Sequence, residues 1–590
     1  MTNALIARLA AAKTDEERSW IVTESLLDSL SPDLRSAAWA VAIPHWFDAE
    51  ILAALRPELK EQATQLYGEL QTLSFVQEFQ ERGHNIHELT RNLMLDYLWR
   101  TDRKEFCLLS QRSADYFLSS NDSVNQIERL YHLVVTDADK GVDELSDVAQ
   151  EWQNNFRRAE LESLLDVLSE QVTSNRVTTP VRAEICYWKG QAKFRFYLAA
   201  EALENYEQAL GLFREIGDRL GEANTLRAVG DVLQFKKRSD EALENYQQAL
   251  GLYREIGDRL GEAYTLKAVG DVLQFQDRGD EALENYEQAL GLFREIGDRL
   301  GEANTLQAVG HVLQFKKRSD QALENYQQAL GLYREIGSRL GEANTLRAVG
   351  HVLQFQDRRD QALENYQQAL GLYREIGDRL GEAYTLQAVG EVLQFQDRRD
   401  QALENYQQAL GLFREIGSRL GEANTLQAVG DVLQFQDRRD EALENYEQAL
   451  RLYREVGARL GEANVLQGYG NLQEDFSQAL EYYQSAQKLY VQIGDKYSQS
   501  RNLLYFIANA QRELEQQEEA VNSLTHGVVL AEEIGYEPFR EFALQKIAEI
   551  RDSRENRIPA GQSILRKVRN LIGTLLTRGS LRGQDLGEEE

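Results

Sequence analysis

A block of 40 residues recurs along the middle of the chain almost unchanged, and this repetition constrains the fold more than any other feature. One copy runs from Gly221 to Leu260, and Gly190, Gly230, Gly270, Gly310, Gly350, Gly390, Gly430 and Gly470 mark the register. Within a copy, Leu226, Val229 and Leu233, then Ala242, Tyr246 and Ala249, recur at spacings of 3 and 4, the stripe of an amphipathic helix. The two helices are joined near Arg238, Ser239 and Asp240, with Asp240 expected to cap the second and Gly257 to stop it. A lone hairpin of this kind cannot bury its apolar side, so the copies must stack, and the 590-residue length measures an array rather than a set of globular domains. Of the 6 prolines none lies between positions 181 and 537, which favours helix throughout.

Counted from Ala223, the residues Leu226, Val229, Gly230, Leu233, Ala242, Tyr246 and Ala249 fall where tetratricopeptide repeat (TPR) motifs place their large, small and aromatic packing residues. The array therefore resembles TPR proteins, and the resemblance implies an all-α, right-handed superhelical solenoid. It departs from the pattern in two ways. Arg254 replaces the usual proline near the end of the second helix, and the period exceeds the usual length of about 34 residues, as in the repeats of kinesin light chains and spindle-orienting adaptors. The ends are irregular: Lys193 replaces an apolar residue in the first copy, and the copy after Gly470 is short, reaching its small residue at Ala479. A degenerate copy with Leu504, Ala508, Ala520, Leu524 and Gly527 follows, and Pro538 to Arg551 closes the stack. These make about nine repeats over 178–556, with a related hairpin at Val148 to Val172.

Residues 1–100 have a different texture, holding Trp20, Trp39, Trp46 and Trp99. Helices are expected to open at Ser31-Pro32 and near Asp48 and to cover Leu59 to Leu70. A hairpin over Phe75 to His87 turning at Arg82-Gly83, and a helix from Glu88 to Trp99, complete a winged-helix pattern. The segment resembles the winged-helix part of signal-transduction ATPases with numerous domains (STAND proteins). Ile86-His87-Glu88 is similar to that family's Met-His-Asp motif, and Leu89 and Arg91 also match. No G-x-x-x-x-G-K-[ST] loop occurs, so the phosphate cradle is missing and His87 reads as a structural residue at a strand-to-helix junction. As an alternative to a scaffold function, the resemblance implies a sensor half of a switch whose ATPase acts in trans or was lost.

The expected plan is a winged-helix-like module at 1–100, a helical connector at 101–177, the solenoid at 178–556, a basic amphipathic helix at 557–580 and a disordered acidic tail at 581–590. The polar stretch Asp137 to Glu144 suggests that module and solenoid fold separately. Ile564, Leu565, Val568, Leu571, Ile572, Leu575 and Leu576, flanked by Arg566, Lys567, Arg569 and Arg578, form a stripe that caps the stack; membrane-surface contact through 561–578 is the less favoured role.

A formal net charge of -30 opposes the basic field that nucleic-acid phosphates require, so no nucleic-acid partner is expected. The 2 cysteines, Cys107 and Cys186, are too few for a disulfide framework, and no run of about 18 apolar residues suggests a membrane span. Arg8 and Lys13 interrupt the start where a secretory leader would be apolar, and a cytoplasmic location is expected. His84 and His87 share the hairpin without a third ligand nearby, the serines lack a nucleophile elbow, and neither cysteine sits in a nucleophile motif. No metal, cofactor or enzymatic activity is expected.

The copies differ mainly on the first helix. Asn224, Arg227, Asp231 and Gln234 become Tyr264, Lys267, Asp271 and Gln274, then Asn304, Gln307, His311 and Gln314, then Asn344, Arg347, His351 and Gln354. Spacings of 3 and 4 put each set on one helix face, which the TPR resemblance places along the concave groove. The expected function is a scaffold that binds a peptide or protein segment there, with copy-to-copy drift as the alternative origin of the differences.

Overall fold

The structure, a computed structural model, describes residues 2–119 and 122–555. The basic stripe and the tail expected beyond residue 556 lie outside the described residues. The chain falls into two compact units, Met1–Gly297 and Asp298–Glu590.

The first unit opens with helices Thr2–Ala11, Asp15–Ser29, Pro32–Val41 and Ala49–Leu55, a 3-10 segment Pro57–Gln62 and helix Ala63–Leu70. Ser31 and Asp48 cap their helices, accepting from the backbone N–H of Leu34 at 3.3 Å and of Ile51 at 2.8 Å. Strands β1 (Val76–Phe79) and β2 (Gly83–Ile86) pair antiparallel with Val76 opposite Ile86, and helix Glu88–Thr101 follows. Phe47 exchanges two backbone hydrogen bonds with His84, 2.7 and 2.9 Å long, tying the hairpin to the helices. The expected elements are present except that the helix expected over Leu59 to Leu70 divides into the 3-10 segment and the helix Ala63–Leu70, and their core does not stop at residue 100. Leu27, Phe47, Leu52, Leu66, Met94 and Leu98 form one cluster with Phe106, Leu109 and Phe117 of the connector.

Helices Arg103–Tyr116, Ser123–Thr136, Ala138–Asn154 and Arg158–Thr173 form that connector. The polar stretch at 137–144 is a tight helix corner rather than a linker. Asp137 caps the next helix through the Lys140 N–H at 3.3 Å, and Gly141 lies so close to Val134 that a Cβ there would sit 2.8 Å from its Cα. A second cluster joins Tyr131, Leu145, Trp152 and Leu164 to Val181, Ile185 and Trp188 of the first repeat helix, so the core is continuous across the boundary expected at 177/178.

The repeats of the first unit pair Thr179–Arg195 with Ala199–Ile216, Arg219–Phe235 with Ser239–Ile256, and Arg259–Phe275 with Gly279–Ile296. In the second unit Arg299–Phe315 pairs with Ser319–Ile336, Arg339–Phe355 with Arg359–Ile376, Arg379–Phe395 with Arg399–Ile416, Arg419–Phe435 with Arg439–Val456, and Arg459–Leu472 with Phe476–Ile493. The degenerate copy carries a π-turn at Leu503–Ile507 before helix Gln517–Glu533, and Glu537–Glu555 is the last described helix. Among the described residues no helix is long and apolar enough to cross a membrane.

The invariant residues explain the hairpin. Ala242, Tyr246 and Ala249 are fully buried, and the Tyr246 ring lies on Gly230, where an added Cβ would come within 2.4 Å of it. At the end of the second helix Gly257 takes φ 78°, and the Asp258 N–H returns to the Tyr253 carbonyl at 2.9 Å. Asp258 then caps the following first helix through the Gly261 N–H at 3.0 Å, turning the chain in two residues.

The cap expected from Asp240 is not made. Helix Ser239–Ile256 starts after Arg238 with no side-chain cap. Lys237 in the left-handed region (φ 58°) lets the Arg238 N–H reach the Leu233 carbonyl at 2.9 Å, so the main chain closes this turn itself. Asp240 instead accepts from Gln276 of the next repeat at 2.9 Å.

The departure at Arg254 also has a structural reason. Its Nε donates to Glu262 at 2.7 Å while Arg259 holds the other carboxylate oxygen at 3.2 Å, clamping the second helix to the next repeat over a carboxylate only 8 % exposed. Within the second unit Arg334–Glu342, Arg374–Glu382 and Arg414–Glu422 repeat the clamp at 2.7, 2.6 and 2.7 Å. A proline at these positions would have no such bond to offer.

Candidate functional site

The first helices carry the polar sets on one face, but the side chains are held from behind rather than lying loose in solvent. In the Arg219–Phe235 helix, Asn224, Arg227, Asp231 and Gln234 are half-buried. The Tyr246 hydroxyl donates to Asp231 Oδ1 at 2.7 Å and lies 3.1 Å from Gln234 Oε1, and the Tyr253 hydroxyl donates to Asn224 Oδ1 at 2.7 Å. Burial raises the Asp231 carboxyl above its usual range, against the opposing pull of Arg227 and the Tyr246 bond.

The next repeat keeps the arrangement with other residues. Tyr286 reaches Asp271 at 2.8 Å and Gln274 at 3.2 Å, and Lys267 pairs with Asp271 at 2.6 Å. Where Asn224 has become Tyr264, the aromatic residue across from it has become Phe293, and the two rings meet edge to face with centroids 5.0 Å apart. Tyr384 and Phe413 repeat this exchange at 5.0 Å, whereas Asn304, Asn344 and Asn424 receive the hydroxyls of Tyr333, Tyr373 and Tyr453 at 2.6, 2.6 and 2.7 Å. Variation at this position therefore follows an internal partner: an amide faces a tyrosine, and a tyrosine faces a phenylalanine.

In the second unit His311 and His351 meet the hydroxyls of Tyr326 and Tyr366 through Nδ1 at 3.1 and 3.0 Å, and Gln314 and Gln354 accept from the same hydroxyls at 3.0 and 2.9 Å. Gln307 Oε1 lies 2.9 Å from the Tyr333 hydroxyl, and Arg347 lies 5.9 Å from the centre of the Tyr384 ring. Burial, with Arg347 and His311 nearby, pushes the His351 imidazole down to about 3, so it stays neutral beside the Tyr366 hydroxyl, whose proton goes to Gln354.

Within each unit, then, the chosen residues repeat along successive first helices. The tyrosine hydroxyls that hold them were missed from the sequence, although the parallel exchange of Asn for Tyr and Tyr for Phe was a readable signal. So was the one carboxylate that breaks the pattern. Glu391, at the position of His351, receives no bond from the tyrosine of its own repeat, because the Tyr406 hydroxyl donates to Gln394 at 3.2 Å.

Elsewhere, His84 Nδ1 meets the Tyr67 hydroxyl at 2.8 Å, and His87 is exposed at the junction between β2 and its helix. Among the described residues no group of three or more His, Cys, Asp or Glu is arranged to hold a metal ion. Arg91 is buried, donating to the carbonyls of Pro44 at 3.2 Å and Ile43 at 3.0 Å and to the Tyr131 hydroxyl at 3.3 Å. His45 completes this network by bonding Glu128 at 2.8 Å, and the pairing with His45 and His132 holds the Glu128 carboxyl well below the usual range despite burial.

A tetratricopeptide repeat family model matches residues 187–255, 261–335, 341–415 and 383–455. No curated protein matches the chain in sequence. Among solved structures the chain is similar to a STAND protein with a tetratricopeptide repeat sensor from Pyrococcus horikoshii, at 12% identity and TM-score 0.48, covering 77% of this chain and 68% of that one. It is also similar to the apo form of RapI, at 19% identity and TM-score 0.39 over 47% of this chain and 99% of that one. Aspartyl phosphate phosphatase F from Bacillus subtilis aligns at 13% identity and TM-score 0.41 over 71% of this chain and 94% of that one. The recurring helical hairpins between residues 187 and 455 match tetratricopeptide repeats, within a fold that is helical almost throughout.

Proposed function

We propose that the chain is a protein-interaction scaffold whose first-helix faces bind an extended segment of a protein or peptide partner. One observation carries this reading. Each Asn of the Asn–Tyr pairs spends its carbonyl oxygen on a buried hydroxyl, as Asn224 does with Tyr253 and Asn344 with Tyr373, which leaves the amide N–H donors for another acceptor. The hydroxyl fixes the amide before a ligand arrives, so little side-chain entropy is lost when a peptide carbonyl accepts from it. Many such bonds, each worth about 0.5–1.5 kcal/mol net, together with Arg227 and Lys267 in the first unit or with Arg347 in the second, would hold an extended backbone.

The test must not disturb the tyrosine pairs. Gln307, Gln387 and Gln427 already stand where Arg227, Lys267 and Arg347 stand, so glutamine is tolerated there. Displayed random peptides of about a dozen residues should yield binders to the full chain, an extended length able to cross several helices. Their affinity should fall with Arg227→Gln plus Lys267→Gln if they use the first unit, or with Arg347→Gln if they use the second. Binders unaffected by either change in a folded protein would move the site off these faces.

A second reading is favoured by the Arg91 network. Buried bonds from Arg91 to Tyr131 and from His45 to Glu128 fasten the amino-terminal module to the connector. A partner docked on the winged-helix-like module would thus be mechanically joined to the first repeats, the arrangement a sensor needs if its ATPase is supplied in trans. Co-purification of a P-loop ATPase with the full chain would select this reading.

A further inference from the structure

Glu391 is set apart from the carboxylates and histidines at its equivalent positions. Asp231, Asp271, His311, His351 and Asp431 each meet the tyrosine hydroxyl of their own repeat, at 2.7, 2.8, 3.1, 3.0 and 2.6 Å. Glu391 has one more methylene and does not engage Tyr406, whose hydroxyl donates to Gln394. Its carboxylate is faced instead by the side-chain amides of Gln354 and Gln387, and no cation is among the groups that act on it.

Gln387 supplies an independent observation. It is only 6% exposed, yet its Oε1 has no hydrogen-bond partner. A buried acceptor without a donor costs about 1–3 kcal/mol, so it is a place where a donor is missing. Gln387 stands one helical turn before Glu391 on the same first helix, and Gln354 Nε2 on the preceding first helix is also buried without a partner, so neither residue has a positive partner and the amide donor nearest them does not close on the Gln387 oxygen. The neighbours do not fill the gap. Arg347 and His351 lie on the preceding first helix, where Arg347 acts on His351 and Tyr366; Tyr366 and Tyr406 are uncharged, and Asp431 on the next first helix adds a second negative group.

We propose that Glu391 and Gln387 Oε1 form a subsite for a basic side chain, arginine or lysine, of the segment bound along the first helices of the second unit. A guanidinium or ammonium group carries enough N–H donors to satisfy both oxygens at once. Burial lifts the Glu391 carboxyl to about 7, and a cation would pull it back down. The proton must therefore leave Glu391 when the basic group enters, and binding weakens as pH falls through that range. The inference rests on the proposed peptide-binding face, and the experiment separates the two.

Displayed random peptides of about a dozen residues are selected against the full chain near pH 8, at an ionic strength of about 0.15 M that screens the general acidity of the surface. Selected peptides should share a lysine or arginine at one fixed position. Their affinity should drop about tenfold in Glu391→Gln, the equivalent of one charge-assisted hydrogen bond, and about as much in the unaltered protein between roughly pH 8 and pH 5.5. In Glu391→Gln that pH dependence should flatten. Glu391→His serves as a second variant, because histidine already occupies this position as His311 and His351. Peptides weakened by Arg347→Gln but indifferent to both Glu391 variants would overturn the subsite and leave the binding face standing. Peptides weakened only by Arg227→Gln plus Lys267→Gln would likewise overturn the subsite alone, whereas peptides indifferent to all of these variants, or the failure of any peptide to enrich, would bring down both.

Discussion

The hydroxyl of Tyr253 donates to the side-chain oxygen of Asn224 across the two helices of one hairpin, at 2.7 Å. The next repeat replaces both partners together, putting the Tyr264 ring edge-on against Phe293 at 5.0 Å. A position whose variation suggested ligand choice is thus also governed by packing inside the hairpin, because a half-buried amide and a buried hydroxyl each need the other.

Tyr253→Phe should leave the Asn224 amide without its donor and destabilise the hairpin by about 1 kcal/mol. Hydrogen exchange of Arg219–Phe235 and Ser239–Ile256 should then quicken about fivefold, since local opening reports local stability. Adding Asn224→Tyr should restore slow exchange by recreating the Tyr264–Phe293 pair. If the double variant exchanges as fast as the single one, the pairing does not govern this position.

Glu262→Ala should cost more than either Arg254→Ala or Arg259→Ala, because one buried carboxylate serves both half-exposed guanidinium groups. The arginines are screened by solvent, so the loss should be about 1 kcal/mol rather than the larger cost of breaking a fully buried pair. Urea denaturation of the full chain, compared at low and high salt, would check this. Equal losses for the three variants would show that Arg254 and Arg259 act by packing alone.

A fragment that starts at Thr178 should associate in solution. Its cut removes Tyr131, Leu145, Trp152 and Leu164 from Val181, Ile185 and Trp188, exposing one side of a continuous core. The full chain, which keeps those contacts and the bonds of Arg91 to Tyr131 and of His45 to Glu128, should run as a monodisperse species in size-exclusion chromatography and bind less of a hydrophobic dye. A well-behaved fragment from Thr178 would restore the boundary that the polar stretch Asp137 to Glu144 suggested.

Much of the architecture was legible because repetition multiplies each signal. The spacing of Leu226, Val229 and Leu233 fixes a helix face, Gly257 marks a stop, and the pairing of Gly230 with an aromatic residue recurs along the array. The helix starts at Pro32 and Ala49 and the hairpin near Arg82-Gly83 followed from local chemistry in the same way, since a cap or a turn is decided by residues a few positions apart. Asp240 misled for a related reason: it has the chemistry of a cap, but the left-handed Lys237 had already closed the turn.

By itself the sequence determined that this chain is a stack of helical hairpins and which face of each first helix is polar, because periodicity and cap chemistry act between near neighbours. Only the tertiary structure decided what those polar residues touch. It turned Arg254 into a clamp on Glu262, gave Asn224 to Tyr253, left Glu391 without its tyrosine and ran one core through residue 178. Each of these depends on side chains from separate helices meeting within hydrogen-bond or van der Waals distance, and a helical period says where a side chain points on its own helix, not what waits opposite.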